Sequence, residues 1–283
     1  MAINNRDRQR TRVVYVPVNT GGGSGGGSQA KIKVGESGLR FGESTFTEIP
    51  QGLDFSDVTD MTHMFSYCNS LTSASLGDTS NVTNMEGMCQ GCSSLTSVSP
   101  MDTSNVTTMK NMFYSCQYLT TVPPMDTSQV TDMECMFQYC NFLTTVPPMD
   151  TSRVTNMIGM FSSCDSLTSV PPMDTSNVTA MNSMFDWCSA LTSVPEMNTS
   201  QVTYMGNLFN YCEKLTDMGG FIGLKVDITL SYCPLTHDSI MNVINKAADV
   251  TASPATLTLG STNLAKLSDE EKAIATAKGW TLA

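Results

Sequence analysis

Residues 174–197 read Asp174-Thr-Ser-Asn-Val-Thr-Ala-Met-Asn-Ser-Met-Phe-Asp-Trp-Cys-Ser-Ala-Leu-Thr-Ser-Val-Pro-Glu-Met197, and this pattern recurs along the chain without insertion. Alignment defines seven 24-residue units: 54–77, 78–101, 102–125, 126–149, 150–173, 174–197 and 198–221. Val occupies the fifth position of every unit, Cys the fifteenth and Leu the eighteenth. A unit this short buries too little apolar surface alone, so neighbouring units must stack to build a continuous core.

The apolar spacing within a unit predicts a short helix followed by a short strand. The helical stripe, at i, i+3, i+6 and i+10, comprises Val82, Met85, Met88 and Cys92. Thr79 or Ser80 stands where an N-cap belongs. Residues 95–98 read as a strand, which proline ends in most units. The predicted fold class is therefore α/β: a solenoid of seven 24-residue coils with short parallel strands and non-repeat caps at both ends.

The segment Met112-Phe113-Tyr-Ser-Cys116-Gln-Tyr-Leu119-Thr-Thr-Val122-Pro123 resembles the BspA-like leucine-rich repeats of bacterial surface proteins. The resemblance covers residues 54–221 and is specific because the motif recurs in every unit. It implies an α/β solenoid with a binding rather than a catalytic role. The first residues depart from the family pattern, because surface members usually begin with a secretion or lipoprotein signal and Met1–Arg10 has no apolar h-region behind it.

Composition predicts five segments. Residues 1–20 form a basic anchoring segment, and residues 21–28 form a Gly/Ser linker that spans roughly 16 Å on average. Residues 29–53 are the N-terminal cap, residues 54–221 the solenoid, and residues 222–283 an α/β C-terminal cap. Stacked repeats need such atypical end units because their terminal coils otherwise expose the core.

Each cap has its own local signals. Alternating Ile32, Val34, Leu39 and Phe41 predict a hairpin, and residues 46–50 look like a degenerate first strand offset by one residue from the repeat register. In the C-terminal cap, a helix follows Thr236 and residues 255–259 form a strand. Ser268 and Glu271 form a capping box that opens a second helix, which ends at Gly279.

The charge distribution excludes some partners. The chain has a net charge of −11, and residues 41–221 carry 18 acidic side chains against three basic ones. Nucleic acid is disfavoured as a partner, because phosphate contacts need clustered Lys and Arg. No apolar run approaches the roughly 18 residues that a membrane span requires.

Neither an enzyme nor a cofactor site is predicted. The chain has two histidines, His63 and His237, and neither has a nucleophile or an acid at motif spacing. Cys89-x-x-Cys92 looks like half a zinc site, but Cys89 stands in the column that holds Phe in the other units. We therefore interpret the repeat cysteines as small apolar core residues and predict no metal site.

Two polar columns have alternative interpretations. An aspartate opens six units, and the column comprises Asp54, Asp78, Asp102, Asp126, Asp150 and Asp174. These carboxylates either accept hydrogen bonds from following N–H groups in local turns or bridge calcium ions. The threonine column comprises Thr72, Thr96, Thr120, Thr144, Thr168, Thr192 and Thr216. It either suits an exposed strand or orders water, as in ice-binding solenoids.

The positions that vary between units predict the contact surface. Large aromatic residues occur beside the invariant Phe and Cys, and they are Tyr67, Tyr114, Tyr118, Tyr139, Phe142, Trp187 and Tyr211. Aromatic side chains dominate binding energy at interfaces, so we predict a ligand-binding surface there. Packing against neighbouring coils is the alternative. Tyr114, Tyr118, Tyr139 and Phe142 come from adjacent units and are predicted to form one patch.

Two functions fit this organisation. The first is a non-enzymatic phage virion appendage, fibre-like and made in the host cytoplasm, that attaches to a host-surface glycan or protein through the solenoid. Its basic head would dock on a capsid or tail protein through Arg8, Arg10, Arg12, Val13, Val14, Tyr15 and Val16. The second is a bacterial cell-surface adhesin of the BspA-like type. Self-association into a homo-oligomer is left open.

Overall fold

A computed structural model describes residues 32–33, 40–42 and 45–283. The N-terminal and repeat strands are β1 (Ile32–Lys33), β2 (Leu53–Asp54), β3 (Ser73–Ala74), β4 (Ser97–Val98), β5 (Ser193–Val194), β6 (Met197–Asn198) and β7 (Asp217–Met218). The later strands are β8 (Phe221–Ile222), β9 (Ile228–Thr229), β10 (Ala255–Thr258) and β11 (Trp280–Leu282). The helices are α1 (His237–Lys246), α2 (Gly260–Leu264) and α3 (Asp269–Ala277).

Neighbouring units are joined by parallel pairing, as predicted. β3 pairs with β4, β5 with β7, and β6 with β8, and in each pair the partners are separated by one repeat length of 24 residues. Single parallel bridges with the same offset of one unit link a second column, which runs through Asp60, Asn84, Thr108, Asp132, Asn156 and Ala180. Every side-chain column of the sequence therefore becomes a row of adjacent residues in space.

The helix predicted in each unit is wrong. Within the described part of residues 54–221 the backbone forms consecutive turns instead of a helix. Met85, Gly87 and Cys89 donate their N–H groups to carbonyls of the next unit, whereas Met88, Gln90 and Cys92 donate to the residue three positions earlier. An α-helix needs every N–H to bond four residues back, so this alternation excludes it, and Thr79 and Ser80 are not N-caps.

Left-handed residues make the alternation possible. The tenth and fourteenth positions of each unit have positive φ, as at Gly87 (58°) and Gly91 (73°), and non-glycine residues take the same conformation in other units. In the first six units, these left-handed residues donate their N–H groups to carbonyls of the next unit. The apolar spacing of about three residues thus serves a stack of turns rather than a helical face.

Proline decides where the predicted strands form. Ser99 and Gly219, at the twenty-second position of their units, donate N–H to Ala74 and Val194, and these bonds accompany the pairs β3–β4 and β5–β7. The units between them carry Pro123, Pro147, Pro171 and Pro195 at that position. Proline has no N–H to donate, so the strand ladder is reduced there to single hydrogen bonds or a bridge.

The core consists of stacked apolar columns. The Val, Met, Phe, Cys and Leu columns of residues 54–221 are buried. Phe113, Phe137, Phe161, Phe185 and Phe209 form a continuous ring stack, with centroids 5.4–5.8 Å apart and planes within 11° of parallel. The prediction that cysteine is a core residue is confirmed.

The N-terminal end agrees with one prediction and contradicts another. Glu48 forms a parallel bridge with Ser73, a separation one residue longer than the repeat, which confirms the offset of this first strand. The hairpin prediction is wrong for the described backbone, because β1 pairs in parallel with β2, with Ile32 opposite Leu53. Val34 and Leu39 lie outside the described residues.

The C-terminal predictions are largely confirmed. Thr236 caps α1, which buries Ile240, Val243 and Ile244, and β10 ends one residue before the predicted Leu259. The capping box opens α3: Ser268 donates N–H to Glu271 at 2.8 Å, and Glu271 N–H bonds Ser268 Oγ at 3.2 Å. α1 covers the last unit through Ser239, whose Oγ accepts Met218 N–H at 2.9 Å. Among the described helices none is long and apolar enough to span a bilayer.

Candidate binding surface

Four aromatic side chains lie on strained backbone. Tyr67, Tyr139, Trp187 and Tyr211 occupy the fourteenth position of their units with φ between 57° and 63°. Bulky residues rarely adopt this left-handed conformation, because Cβ approaches the following carbonyl at a cost of roughly 1–2 kcal/mol. The other units have Gly91, Ser115 and Ser163 there, with the same positive φ.

The backbone at this position is imposed by the stacking of units. Tyr67 N–H donates to Gln90 at 2.7 Å, and Trp187 N–H donates to Asn210 at 2.8 Å, both in the following unit. The positive φ therefore serves the fold whichever residue is present. A large ring at such a position relieves no strain, and strained residues cluster at functional sites.

The predicted aromatic residues form ring pairs along the stack of units. Tyr118 stacks on Phe142 with centroids 5.3 Å apart, and Tyr114 meets Tyr139 edge-on at 5.4 Å. We call these four residues the middle cluster. Tyr118 is 54% exposed and Phe142 51%, Tyr139 is also exposed, and Tyr114 is half-buried. The cluster thus lies at the surface, while its role in binding stays a prediction.

A second group of rings lies towards the C-terminus. Trp187 stacks on Tyr211 at 3.9 Å, and Tyr211 lies 5.2 Å from Tyr232. We call Trp187, Tyr211 and Tyr232 the C-terminal cluster. Trp187 is 49% exposed and Tyr232 is also exposed. Together, the middle and C-terminal clusters form the aromatic ridge.

Sequence reasoning missed Tyr232 because it lies beyond the last unit. A signal was present, since Tyr232 directly precedes Cys233 just as Tyr67, Tyr139 and Trp187 precede the repeat cysteines. Tyr67 stands apart from both clusters. Its ring covers Gly91, where a Cβ atom would lie 2.6 Å from Tyr67 Cδ1, so any other residue at that position would displace the Tyr67 ring.

Asp186 is a carboxyl group in an unusual, partly buried environment beside the C-terminal cluster. It directly precedes Trp187, and its Oδ1 atom is, within the described residues, a buried side-chain oxygen without a hydrogen-bond partner. Burial raises the pKa of this carboxyl above its ordinary value, although a hydrogen bond with Asn210 opposes the shift. An unsatisfied buried oxygen destabilises the fold, so Asp186 is not explained by stability.

The aspartate column forms local turns, as the first of its two interpretations predicts. Asp126 Oδ1 accepts the N–H of Ser128 at 3.0 Å, and Asp102 accepts both the N–H and the hydroxyl of Ser104. Hydrogen bonds from the serine hydroxyl and N–H lower the pKa of Asp126. Among the described residues no group of three His, Cys, Asp or Glu side chains is arranged to hold a metal ion.

The hydroxyl groups of the threonine column form hydrogen bonds between neighbouring units. Thr96 Oγ1 donates to the Thr72 carbonyl at 2.9 Å, and Thr192 Oγ1 donates to Thr168 at 3.1 Å. These side chains are exposed, but their hydroxyl hydrogens point along the stack rather than towards solvent. Thr72, Thr96 and Thr192 lie one residue before β3, β4 and β5 rather than within these strands, so hydrogen bonds between units account for this column.

The cysteines are thiols with a structural role. None of the ten forms a disulfide in the described part of the chain, and Cys89 and Cys92 are both fully buried. Cys92 Sγ donates instead to the Phe65 carbonyl at 3.1 Å. The Cys-x-x-Cys spacing, which looks like half a zinc site, thus arises from the alignment of the repeat. The docking residues predicted in the basic head, Arg8 to Val16, lie outside the described residues.

A known family shares this repeat. The family described as "Mycoplasma protein of unknown function, DUF285" matches residues 40–141 and 120–220. The chain belongs to the DUF285 family. The DUF285 match covers the whole aromatic ridge except Tyr232, and it supports the BspA-like repeat recognised in the sequence. Among curated proteins, none matches the sequence of this DUF285 chain.

Solved structures similar to this DUF285 chain are bacterial leucine-rich repeat proteins. One from Bacteroides ovatus ATCC 8483 is 16% identical with a TM-score of 0.46, over 75% of this chain and 57% of its own. One from T. pallidum is 18% identical with a TM-score of 0.38, over 88% of each chain. A leucine-rich cell surface protein from Faecalibacterium prausnitzii A2-165 is 16% identical with a TM-score of 0.33, over 88% and 94%. The DUF285 chain thus spans little more than half of the Bacteroides ovatus protein.

Proposed function

We propose that this chain is a non-enzymatic binding protein, displayed on a bacterial cell surface, whose seven 24-residue coils form a rigid frame for the aromatic ridge. Its ligand is a protein or glycan of another surface. Leucine-rich repeat proteins are generally binding proteins, and BspA-like repeats are typical of bacterial surface proteins, which supports both halves of the proposal.

One observation carries the proposal: large aromatic rings occupy left-handed positions where other units have Gly or Ser. Tyr139 and Trp187 strain the backbone and remain about half exposed. Side chains retained for stability would relieve strain or bury their surface. Tyr139 and Trp187 keep the strain and bury only part of their surface, against Tyr114 and Tyr211. Contact with a ligand explains the exposed part, because Tyr and Trp are the residues that contribute most at binding hot spots.

The decisive experiment separates folding from binding. The full chain is labelled and tested against intact mammalian and bacterial cells and immobilised extracellular proteins and glycans. The variant replaces the ridge rings at left-handed positions and carries Tyr139→Gly, Trp187→Gly and Tyr211→Gly. We expect binding at least tenfold weaker, with an unchanged or higher melting temperature because the backbone strain is removed.

A matched control carries Ser115→Gly, which relieves strain in the same column without removing a ring. It keeps full binding under this proposal. Equal binding by the three-glycine variant and the wild type would refute the role of the rings. A large fall in its melting temperature would show instead that the rings serve packing.

The phage-appendage function remains a second candidate on one observation of the sequence. Residues 1–20 carry Arg6, Arg8, Arg10 and Arg12 ahead of a strongly acidic body, and residues 21–28 separate the two. That charge division suits docking of the head on a particle. Co-sedimentation of the chain with intact virions, lost when residues 1–20 are deleted, would favour this candidate over the bacterial surface.

A further inference from the structure

The aromatic ridge is interrupted at one unit. In residues 150–173, Ser163 and Ser166 occupy the two columns that hold Tyr139 and Phe142 one unit earlier. One unit later the first of these columns holds Trp187. The middle and C-terminal clusters are thus separated by a gap one unit high, lined at its base by serine. We call this gap the Ser163 notch.

Hydrogen bonds fix the height of the notch. Tyr139 N–H bonds the Ser162 carbonyl at 2.9 Å, and Ser163 N–H bonds the Asp186 carbonyl at 2.7 Å, so the three units are directly stacked. Residues two units apart are separated by roughly 9.6 Å, twice the spacing of about 4.8 Å between parallel strands. Since stacked rings prefer centroid distances of about 4.5–7 Å, the notch has room for one flat ring.

The base of the notch offers polar groups. Ser163 and Ser166 are half-buried and Asp165 is exposed. Asp165 Oδ2 accepts a hydrogen bond from Asn141 Nδ2 at 2.9 Å, which holds the carboxylate at this edge. Hydroxyl groups both donate and accept hydrogen bonds, whereas a carboxylate only accepts them. A ring bordered by hydroxyl groups would therefore find partners here.

We propose, resting on the proposed function, that the Ser163 notch binds a neutral pyranose ring of a glycan. The two faces of a pyranose carry C–H bonds, which suit the negative faces of the flanking aromatic rings. Its hydroxyl groups reach Ser163, Ser166 and Asp165. A few polar groups among apolar walls are the usual composition of a ligand site.

Charge selects among flat ligands. Residues 41–221 carry 18 acidic and three basic side chains, so nucleobases on a phosphate backbone and sialylated or sulfated sugars meet an unfavourable potential. Neutral sugars do not meet this unfavourable potential. A peptide guanidinium, which is flat and cationic, is the competing occupant that the experiment must exclude.

Trp187 provides the readout. The chain has two tryptophans, and Trp280 is only 3% exposed, with its Nε1 bonded to the Ala248 carbonyl at 3.0 Å. The full chain is titrated with neutral, sialylated and sulfated oligosaccharides and with an oligoarginine peptide while tryptophan fluorescence is followed. We expect a saturable change with at least one neutral glycan and no change in a Trp187→Phe variant.

Filling the notch tests its location. Ser163→Trp places a ring in the gap, and Ser115→Trp places the same ring at the same left-handed position outside it, with φ of 60° and 58° in the two serines. We expect Ser163→Trp to weaken neutral-glycan binding at least tenfold, measured by calorimetry, and Ser115→Trp to leave it unchanged. Ser166→Phe, which lacks the strained backbone, is a second filling variant should Ser163→Trp unfold.

Three results would overturn the inference: no binding of any neutral glycan, binding of oligoarginine alone, or equal glycan binding by both filling variants and the wild type. The proposed function fails separately. If the chain binds cells or extracellular proteins and loses that binding in the three-glycine variant, the ridge is a binding surface even when the notch takes no sugar.

Discussion

Cys140 donates its thiol hydrogen to the backbone carbonyl of Phe113, 27 residues earlier, with 3.2 Å between Sγ and O. The same bond joins Cys164 to Phe137 and Cys188 to Phe161, both at 3.1 Å. The Phe113 carbonyl also accepts Cys116 N–H within its own unit at 3.0 Å, so the thiol of the following unit supplies a second hydrogen bond. The cysteine column is a row of buried hydrogen bonds as well as an apolar column.

Replacing Cys140 with Ala should therefore lower the free energy of unfolding by about 0.5–1.5 kcal/mol, because the Phe113 carbonyl loses this second hydrogen bond but keeps the one from Cys116 N–H. Urea denaturation followed by circular dichroism measures the change. Cys135→Ala is the matched control, since Cys135 is only partly buried. Equal losses in the two variants would mean that the thiol hydrogen bond contributes nothing.

Thiol reactivity should separate the same two cysteines. Burial raises the pKa of Cys140 far above its ordinary value, and it raises the pKa of Cys135 to about 11. At pH 8 in the native state, Ellman's reagent should label Cys135 slowly and the nine buried cysteines not at all. All ten should react in guanidinium. Rapid native labelling of several thiols would contradict the buried column.

Relieving backbone strain should stabilise the frame. Ser115 has a φ of 58°, and Ser115→Gly should raise the free energy of unfolding by about 1 kcal/mol, because glycine adopts this conformation without steric penalty. The control is Ser94→Gly, which lies outside the left-handed columns. It should raise the free energy of unfolding by less than Ser115→Gly does, or lower it. Urea midpoints of the two variants decide between them.

The aspartate turns should make the fold sensitive to acid. Hydrogen bonds from serine lower the pKa of Asp102, Asp126 and Asp150 below the ordinary value of 3.8. Their contribution is present above pH 3.8 and is lost as pH falls through the lower native values. Melting temperatures should therefore drop steeply below that pH. Replacing the three with Asn, which also accepts the turn hydrogen bonds, should flatten the profile.

Calcium should have no part in this stability. Because each carboxylate already accepts hydrogen bonds from its own turn, addition of a chelator should leave the melting temperature at neutral pH unchanged. A fall of several degrees that added calcium reverses would restore the alternative interpretation of the aspartate column.

Asp186 should show the opposite pH dependence. Desolvation raises its pKa above 3.8 in the native state, so the folded chain binds this proton more tightly than the unfolded chain. Its ionisation then destabilises the fold as pH rises from 3.8 through the raised value. Asp186→Asn should raise the melting temperature at pH 7 and change it little at pH 3. Asn210→Asp is not equivalent and would add a second charge there.

The sequence alone determined which residues are buried and which units stack. Local spacing and residue chemistry predict the buried columns of Val, Met, Phe, Cys and Leu. They also predict the offset of Glu48, the Thr236 cap and the Ser268 capping box. Proline positions also limit the strand pairing. This effect became clear only in the structure, where Ser99 and Gly219 donate the N–H that proline lacks at the same position.

Only the tertiary structure decided the backbone between those columns. Val82, Met85, Met88 and Cys92 fit the face of a helix and the inner side of successive turns equally well, because both bury every third or fourth residue. The choice depends on where N–H groups find carbonyls, and here the partners lie in the adjacent unit, far away along the chain. The same distant bonds place Tyr139 and Trp187 on left-handed backbone on either side of Ser163, a juxtaposition that no local pattern expresses.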